Sequence, residues 1–170
     1  MNRVKQITFI ALYVAIIVAL QTLLSSINGI ELTTLLFTSA AIFLPIHVSL
    51  TLVVVYCLIE GILFGFGDWV IVYLIYWSFV VIITFLLKNL CKKHFVFTAL
   101  INAIYGFLLG IFFFVEMFIL YGQSSAVSYY LTGLQGDLLH LVSNFLIALI
   151  LFPPIRKLFP KIIYIKTKKV

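Results

Sequence analysis

Charge is what this chain lacks over its longest stretches. No Asp, Glu, Lys or Arg occurs at 6–30, 32–59, 69–87, 94–115 or 138–155, and these runs are written mostly in Leu, Ile, Val, Phe and Ala. A helix of about 20 apolar residues crosses a hydrocarbon core of ~30 Å, and such runs have no place on a water-facing surface. With 65% hydrophobic and 9% charged residues, a soluble domain of this size could not cover itself in polar groups. The chain reads as an all-α, polytopic membrane protein with no room for a second, soluble domain. Its first apolar run does not read as a cleavable signal, because it has no small-residue cleavage site and further spans follow directly.

The apolar runs predict six helices, at about 7–27, 33–45, 48–66, 69–87, 95–121 and 133–158. Pro45 in "FLPIHVS" divides the second from the third. Residues 33–66 as one helix would reach roughly 50 Å, well beyond what a bilayer core needs.

The basic residues set the parity. With six crossings, one side receives the N-terminus, the turn at 45–47, "KNLCKKH" and the tail after Phe152. That side then holds Arg3, Lys5, Lys88, Lys92, Lys93, Arg156, Lys157, Lys161, Lys166, Lys168 and Lys169, which is every Lys and Arg in the chain. The positive-inside rule makes it the cytoplasmic side, with both termini in the cytoplasm. Five crossings would put "KNLCKKH" outside, against that rule. The net charge of +6 is therefore read as topology and not as a nucleic-acid surface. The tail "KLFPKIIYIKTKKV" alternates basic and apolar residues, as expected of a segment lying along the inner bilayer interface. Cys57 in an apolar run and Cys91 in a lysine-rich turn read as unpaired packing residues.

The outer side collects "NGIE", "GFGDW" and the long "YGQSSAVSYYLTGLQGD". Within "GDLLHLVSN", Asp137, His140 and Asn144 stand at i, i+3 and i+7, so at about 100° per residue they form one polar stripe on an apolar helix. Such a stripe is either interhelical glue or part of a site. "GDWVIVYLIYW" places Trp69, Tyr73, Tyr76 and Trp77 on one face, the first at the boundary and the last two about two turns deeper, where they suit a stacking wall. Tyr129 and Tyr130 add two rings. Glu60 and Glu116 lie inside apolar runs and need a partner there. No Lys or Arg shares their side, so a pocket built from these residues suits a small, planar, neutral or cationic heterocycle.

Enzyme signatures are missing. Ser143 lacks a G-x-S-x-G setting, one His with scattered acids is no zinc site, and no P-loop motif occurs. No metal or cofactor is expected, and energy for any transport must come from a gradient or a partner. In helix 1, Ala11, Ala15 and Ala19 recur every fourth residue, a flat face on which another helix can come close.

Taken together, these motifs and their order resemble the substrate-binding S component of energy-coupling factor (ECF) vitamin transporters. The resemblance rests on "GLQGDLLHLVSN", which is close to the family's D-x-x-H-x-x-x-N run, and on the Ala11-x-x-x-Ala15 face. "NGIELTTLLFTSAAIFLP" and "GFGDWVIVYLIYW" also read like this group. It implies a prokaryotic plasma-membrane protein that binds a vitamin or precursor near its outer face. It also implies partners: a transmembrane scaffold subunit docking on Ala11, Ala15 and Ala19, and two cytoplasmic ATPases. On that reading the substrate contacts are Glu60, Tyr76, Trp77, Glu116, Tyr129, Tyr130, Asp137, His140 and Asn144. Acids, aromatics and no nearby cation favour pyridoxine, hydroxymethylpyrimidine or thiamin over carboxylate-bearing vitamins. The alternative is a small self-sufficient oligomeric transporter or channel, which would need a polar path across the whole bilayer.

Overall fold

The computed structural model describes residues 3–27 and 29–168, with side chains through Lys161, and among the described residues the regular structure is entirely helical. The elements are α1 (Arg3–Leu24), α2 (Thr33–Phe43), α3 (Ile46–Phe64), α4 (Asp68–Lys93) and α5 (Phe95–Lys168). Four of them, α1, α3, α4 and α5, are long and apolar enough to cross a membrane, while α2 is shorter. Large apolar side chains such as Ile7, Leu23, Ile62, Ile71 and Leu86 stand exposed on the outside. That surface suits lipid and would be costly in water.

Local chemistry sets the boundaries. Leu44 precedes Pro45 and takes the extended conformation (φ −106°, ψ 160°) that a following proline imposes. Gly67 is extended ahead of α4, which opens with Asp68 and closes with Lys92 and Lys93, each charge complementing the helix dipole. The stretch "KNLCKK", expected in a turn, is still helical, so α4 extends to Lys93 and the turn narrows to His94.

A single 74-residue helix would be ~110 Å long. Instead α5 breaks at Gly122, where φ 83° and ψ 173° lie in a region open essentially only to glycine. Two arms result, 95–121 and 123–168, lying side by side. Gly110 backs onto the Asp137 carboxylate, Phe113 meets Tyr129 at 6.2 Å, and Phe114 meets Tyr130 at 5.7 Å. The second arm begins well before residue 133, so most of the expected outer loop is helical. Its glycines and serines read as loop punctuation. Yet Ala126, Tyr130, Leu134 and Asp137 repeat at helical spacing on the less exposed face, and packing against the first arm prevails.

The short helix α2 is the centre of the fold. Nine of its eleven residues are buried. Phe37 packs against Tyr56 and Trp77 at 5.3 and 4.9 Å between ring centres, and Tyr13 Oη donates to the Leu36 carbonyl at 2.7 Å. Its three threonine hydroxyls donate to Gln21, Glu31 and, from Thr38 at 3.3 Å, Asn102, whereas Ser39 Oγ is buried without a hydrogen-bond partner. At its far end Phe43 lies 5.8 Å from Lys92 Nζ and 6.4 Å from the Phe152 ring. Thus α2 runs from below the acid-rich end of the bundle to the end rich in bases. Arg156 donates to the Lys92 carbonyl at that basic end. Cys57 and Cys91 are buried and free. Most of the tail's alternating pattern falls on residues 162–170, whose side chains lie outside the described residues.

Candidate functional site

Two adjoining cavities open at the acidic end, of about 230 and 200 Å³. They share Leu109 and His140 as a common wall. Each is smaller than the ~300–1,000 Å³ of sites for drug-sized ligands. No Lys or Arg lines either one.

The first cavity is built where α1 ends and α2 begins. Gln21 and Ser25 come from α1 and the turn after it, and Gly29, Ile30 and Glu31 come from the connection. Tyr56 of α3 and Tyr73 and Trp77 of α4 supply the aromatic walls. Their rings interlock edge to face, with Tyr73 to Trp77 at 6.4 Å and Tyr56 to Trp77 at 6.3 Å. Rings held by such contacts keep their faces fixed before anything binds.

Hydrogen bonds lock the polar groups around this aromatic box. Gln21 Nε2 donates to Glu60 Oε2 at 3.1 Å, while its Oε1 accepts from Tyr56 Oη and, at 3.4 Å, from Thr33 Oγ1. Glu31 Oε1 accepts from Thr34 Oγ1 at 2.7 Å and from Asn144 Nδ2 at 2.8 Å, with His140 Nδ1 at 4.0 Å. Ser143 Oγ donates to the Gly29 carbonyl, tying the α1–α2 connection to the second arm of α5. Two cavity-lining groups are left over. Trp77 Nε1 and His140 Nδ1 are buried atoms with no hydrogen-bond partner, and Trp77 is only 1% exposed. Buried polar atoms are rarely left so, because each unmade bond costs roughly 1–3 kcal/mol.

The second cavity lies between the arms of α5. Tyr129, Tyr130 and Asp137 line it opposite Leu109, Gly110 and Phe113. Among the expected site residues, then, Trp77, Tyr129, Tyr130, Asp137 and His140 face the two cavities. Glu60 stands behind Gln21, holding its amide. Tyr76 is fully buried and donates to the Tyr105 carbonyl at 2.6 Å, lining neither cavity. Glu116 lies apart, with Asp68 in a groove between α4 and the first arm of α5. Asn144 is 2% exposed and sits beneath the cavities as a clamp on Glu31 and Thr34. The stripe at 137–144 therefore combines both roles, cavity wall above and interhelical bond below.

Gln21, Glu31, Tyr56 and Tyr73 are cavity residues outside the expected set. A signal existed for three of them: Tyr73 shares the aromatic face with Trp77, Gln21 is an amide far inside an apolar run, and Tyr56 lies four residues before Glu60, on the same face. Ala11, Ala15 and Ala19 are all exposed, on the face of α1 opposite its buried Tyr13, Val14 and Ile17.

Comparison with protein-family models, curated proteins and solved structures returns no match to this chain. Its chemistry is read from the residues themselves. One consequence is direct: Asn144→Ala removes the amide that donates to Glu31 and Thr34, leaving Glu31 with the Thr34 hydroxyl alone, and should lower stability by about 1–3 kcal/mol. Ligand affinity should fall at least about tenfold, since a bond to a charged group contributes ~1.5–3 kcal/mol. Thermal melting and ligand titration in detergent separate the two effects. An unchanged melt would mean that the clamp is not formed.

Proposed function

We propose that this chain is a membrane-embedded binding protein that captures a small, planar, neutral or cationic aromatic heterocycle at its acidic end. In this reading it is the S component of an ECF-type importer. The acidic end faces outward, the chain crosses the bilayer six times, and both termini are cytoplasmic. The positive-inside rule supports this orientation, since every Lys and Arg in the described helices lies in the terminal regions or around the α4–α5 turn.

The observation that carries the reading is the aromatic box with its unused hydrogen-bonding atoms. Tyr56, Tyr73 and Trp77 offer ring faces and edges to a flat ligand. Trp77 Nε1 can donate to a ring acceptor, and His140 Nδ1 waits on the shared wall. Glu31 and Glu60, with no base beside the cavity, favour a ligand bearing donors or positive charge. The exposed Ala11, Ala15 and Ala19 face is available to a scaffold helix, where small side chains permit close approach. Two cytoplasmic ATPases would then supply the energy, since the chain has no P-loop.

The test is mass spectrometry of small molecules released from the purified, detergent-solubilised protein. An aromatic heterocycle should come off the native chain and be absent or strongly reduced in Trp77→Phe, which keeps a ring and removes the N–H. An empty protein whose melting no B-vitamin shifts would overturn the proposal.

A further inference from the structure

A third cavity, of about 450 Å³, is separate from those two. It is a furrow between α4 and the first arm of α5, lined by Ile71, Ile75, Val115 and Ile119, all exposed on the outer surface. Tyr73 and Trp77 lie on the other side of α4, so the furrow and the aromatic box do not share a wall. Two carboxylates, Asp68 and Glu116, stand in it. Tyr121 Oη donates to Asp68 Oδ2 at 3.4 Å, whereas Glu116 Oε1 is buried without a partner. No Lys or Arg is among the residues lining it.

A carboxylate on a lipid-facing wall is costly unless something answers it. The furrow's shape narrows what that is. A helix with side chains is ~10–12 Å across, too wide for a space that holds on the order of fifteen water-sized groups. A single hydrocarbon chain fits such a volume, and its headgroup would sit at the level of the acids. A primary ammonium carries three N–H donors and can bridge both carboxylates, while a trimethylated ammonium has none to offer.

We infer that this furrow holds one phospholipid with a primary-ammonium headgroup, its acyl chain along Ile71, Ile75 and Val115 and its ammonium on Asp68 and Glu116. The inference rests on the chain lying in a membrane and is independent of what the aromatic box binds.

The experiment uses the full chain, purified, stripped of lipid and exposed to mixed micelles of phosphatidylethanolamine and phosphatidylcholine with identical acyl chains. Retained lipid is counted by native mass spectrometry. The ethanolamine lipid should be enriched at least about fivefold over the choline lipid, the scale of one partly exposed ion pair. The double variant Asp68→Asn/Glu116→Gln should return the ratio to that of the mixture. Ile75→Trp, at a 56% exposed position where folding is not at stake, should reduce retention of both lipids. Equal retention by the native chain would overturn the inference, as would a preference that survives the double variant. Should the double variant fail to melt cooperatively, undiminished retention in Ile75→Trp overturns it alone.

Discussion

Gly106→Leu is expected to abolish cooperative folding, because the two arms of α5 meet at this glycine. Even a single Cβ there would stand 2.5 Å from Asn144 Nδ2 and 2.7 Å from the His140 carbonyl oxygen. The carbonyl belongs to a helical backbone and cannot step aside without moving the second arm. Gly106→Ala should therefore cost about 1–3 kcal/mol, the usual range for forcing a methyl into a full site, and leucine should cost more. Movement of the second arm would also displace His140 and Asn144, so ligand affinity should fall together with stability. Gly133→Ala is the matched comparison, since its added Cβ would meet nothing within 4 Å. Melting curves in one detergent decide the matter. A native-like melt for both Gly106 variants would mean that the arms do not pack at this contact.

Glu31→Gln should have the largest effect on binding with the least on the fold. The amide keeps an oxygen to accept from Asn144 and Thr34, so those bonds at 2.8 and 2.7 Å can survive. What disappears is the negative charge on the cavity wall, and a hydrogen bond to a charged group is worth ~1.5–3 kcal/mol. Affinity for the ligand released from the native protein should drop roughly tenfold to a hundredfold. Calorimetric titration of the released compound measures it directly. A loss below about threefold, less than 1 kcal/mol, would remove Glu31 from the ligand's surroundings.

The sequence showed some of this and hid the rest, for identifiable reasons. Composition alone implied lipid as solvent, and Pro45 marked the α2–α3 boundary because its ring constrains Leu44 locally. Trp77 and His140 stood out as polar-tipped side chains on apolar helices. Glu31 did not, since it reads as an ordinary loop acid until Asn144, 113 residues away, is brought against it. Gln21 likewise acquires its role only when Glu60, 39 positions on, turns towards it. Tyr76 misled in the other direction. It shares a face with Trp77, yet the Tyr105 carbonyl takes its hydroxyl inside the core. The helix at 123–136 was masked by glycines and serines whose local preference yields to contact between the arms.

The brevity of α2 also decides where a guest can sit. Eleven residues rise ~16 Å, about half of a ~30 Å hydrocarbon layer. Its neighbours are long enough to go the whole way, so above Thr33 the middle of the bundle has no axial strut. The α1–α2 connection folds into part of that vacancy, and the rest is left as the aromatic box. The molecule is thus a goblet whose solid stem is α2 and whose bowl is as deep as the helix is short. A bound molecule would rest below the rim, with its depth set by the number of turns that α2 does not have.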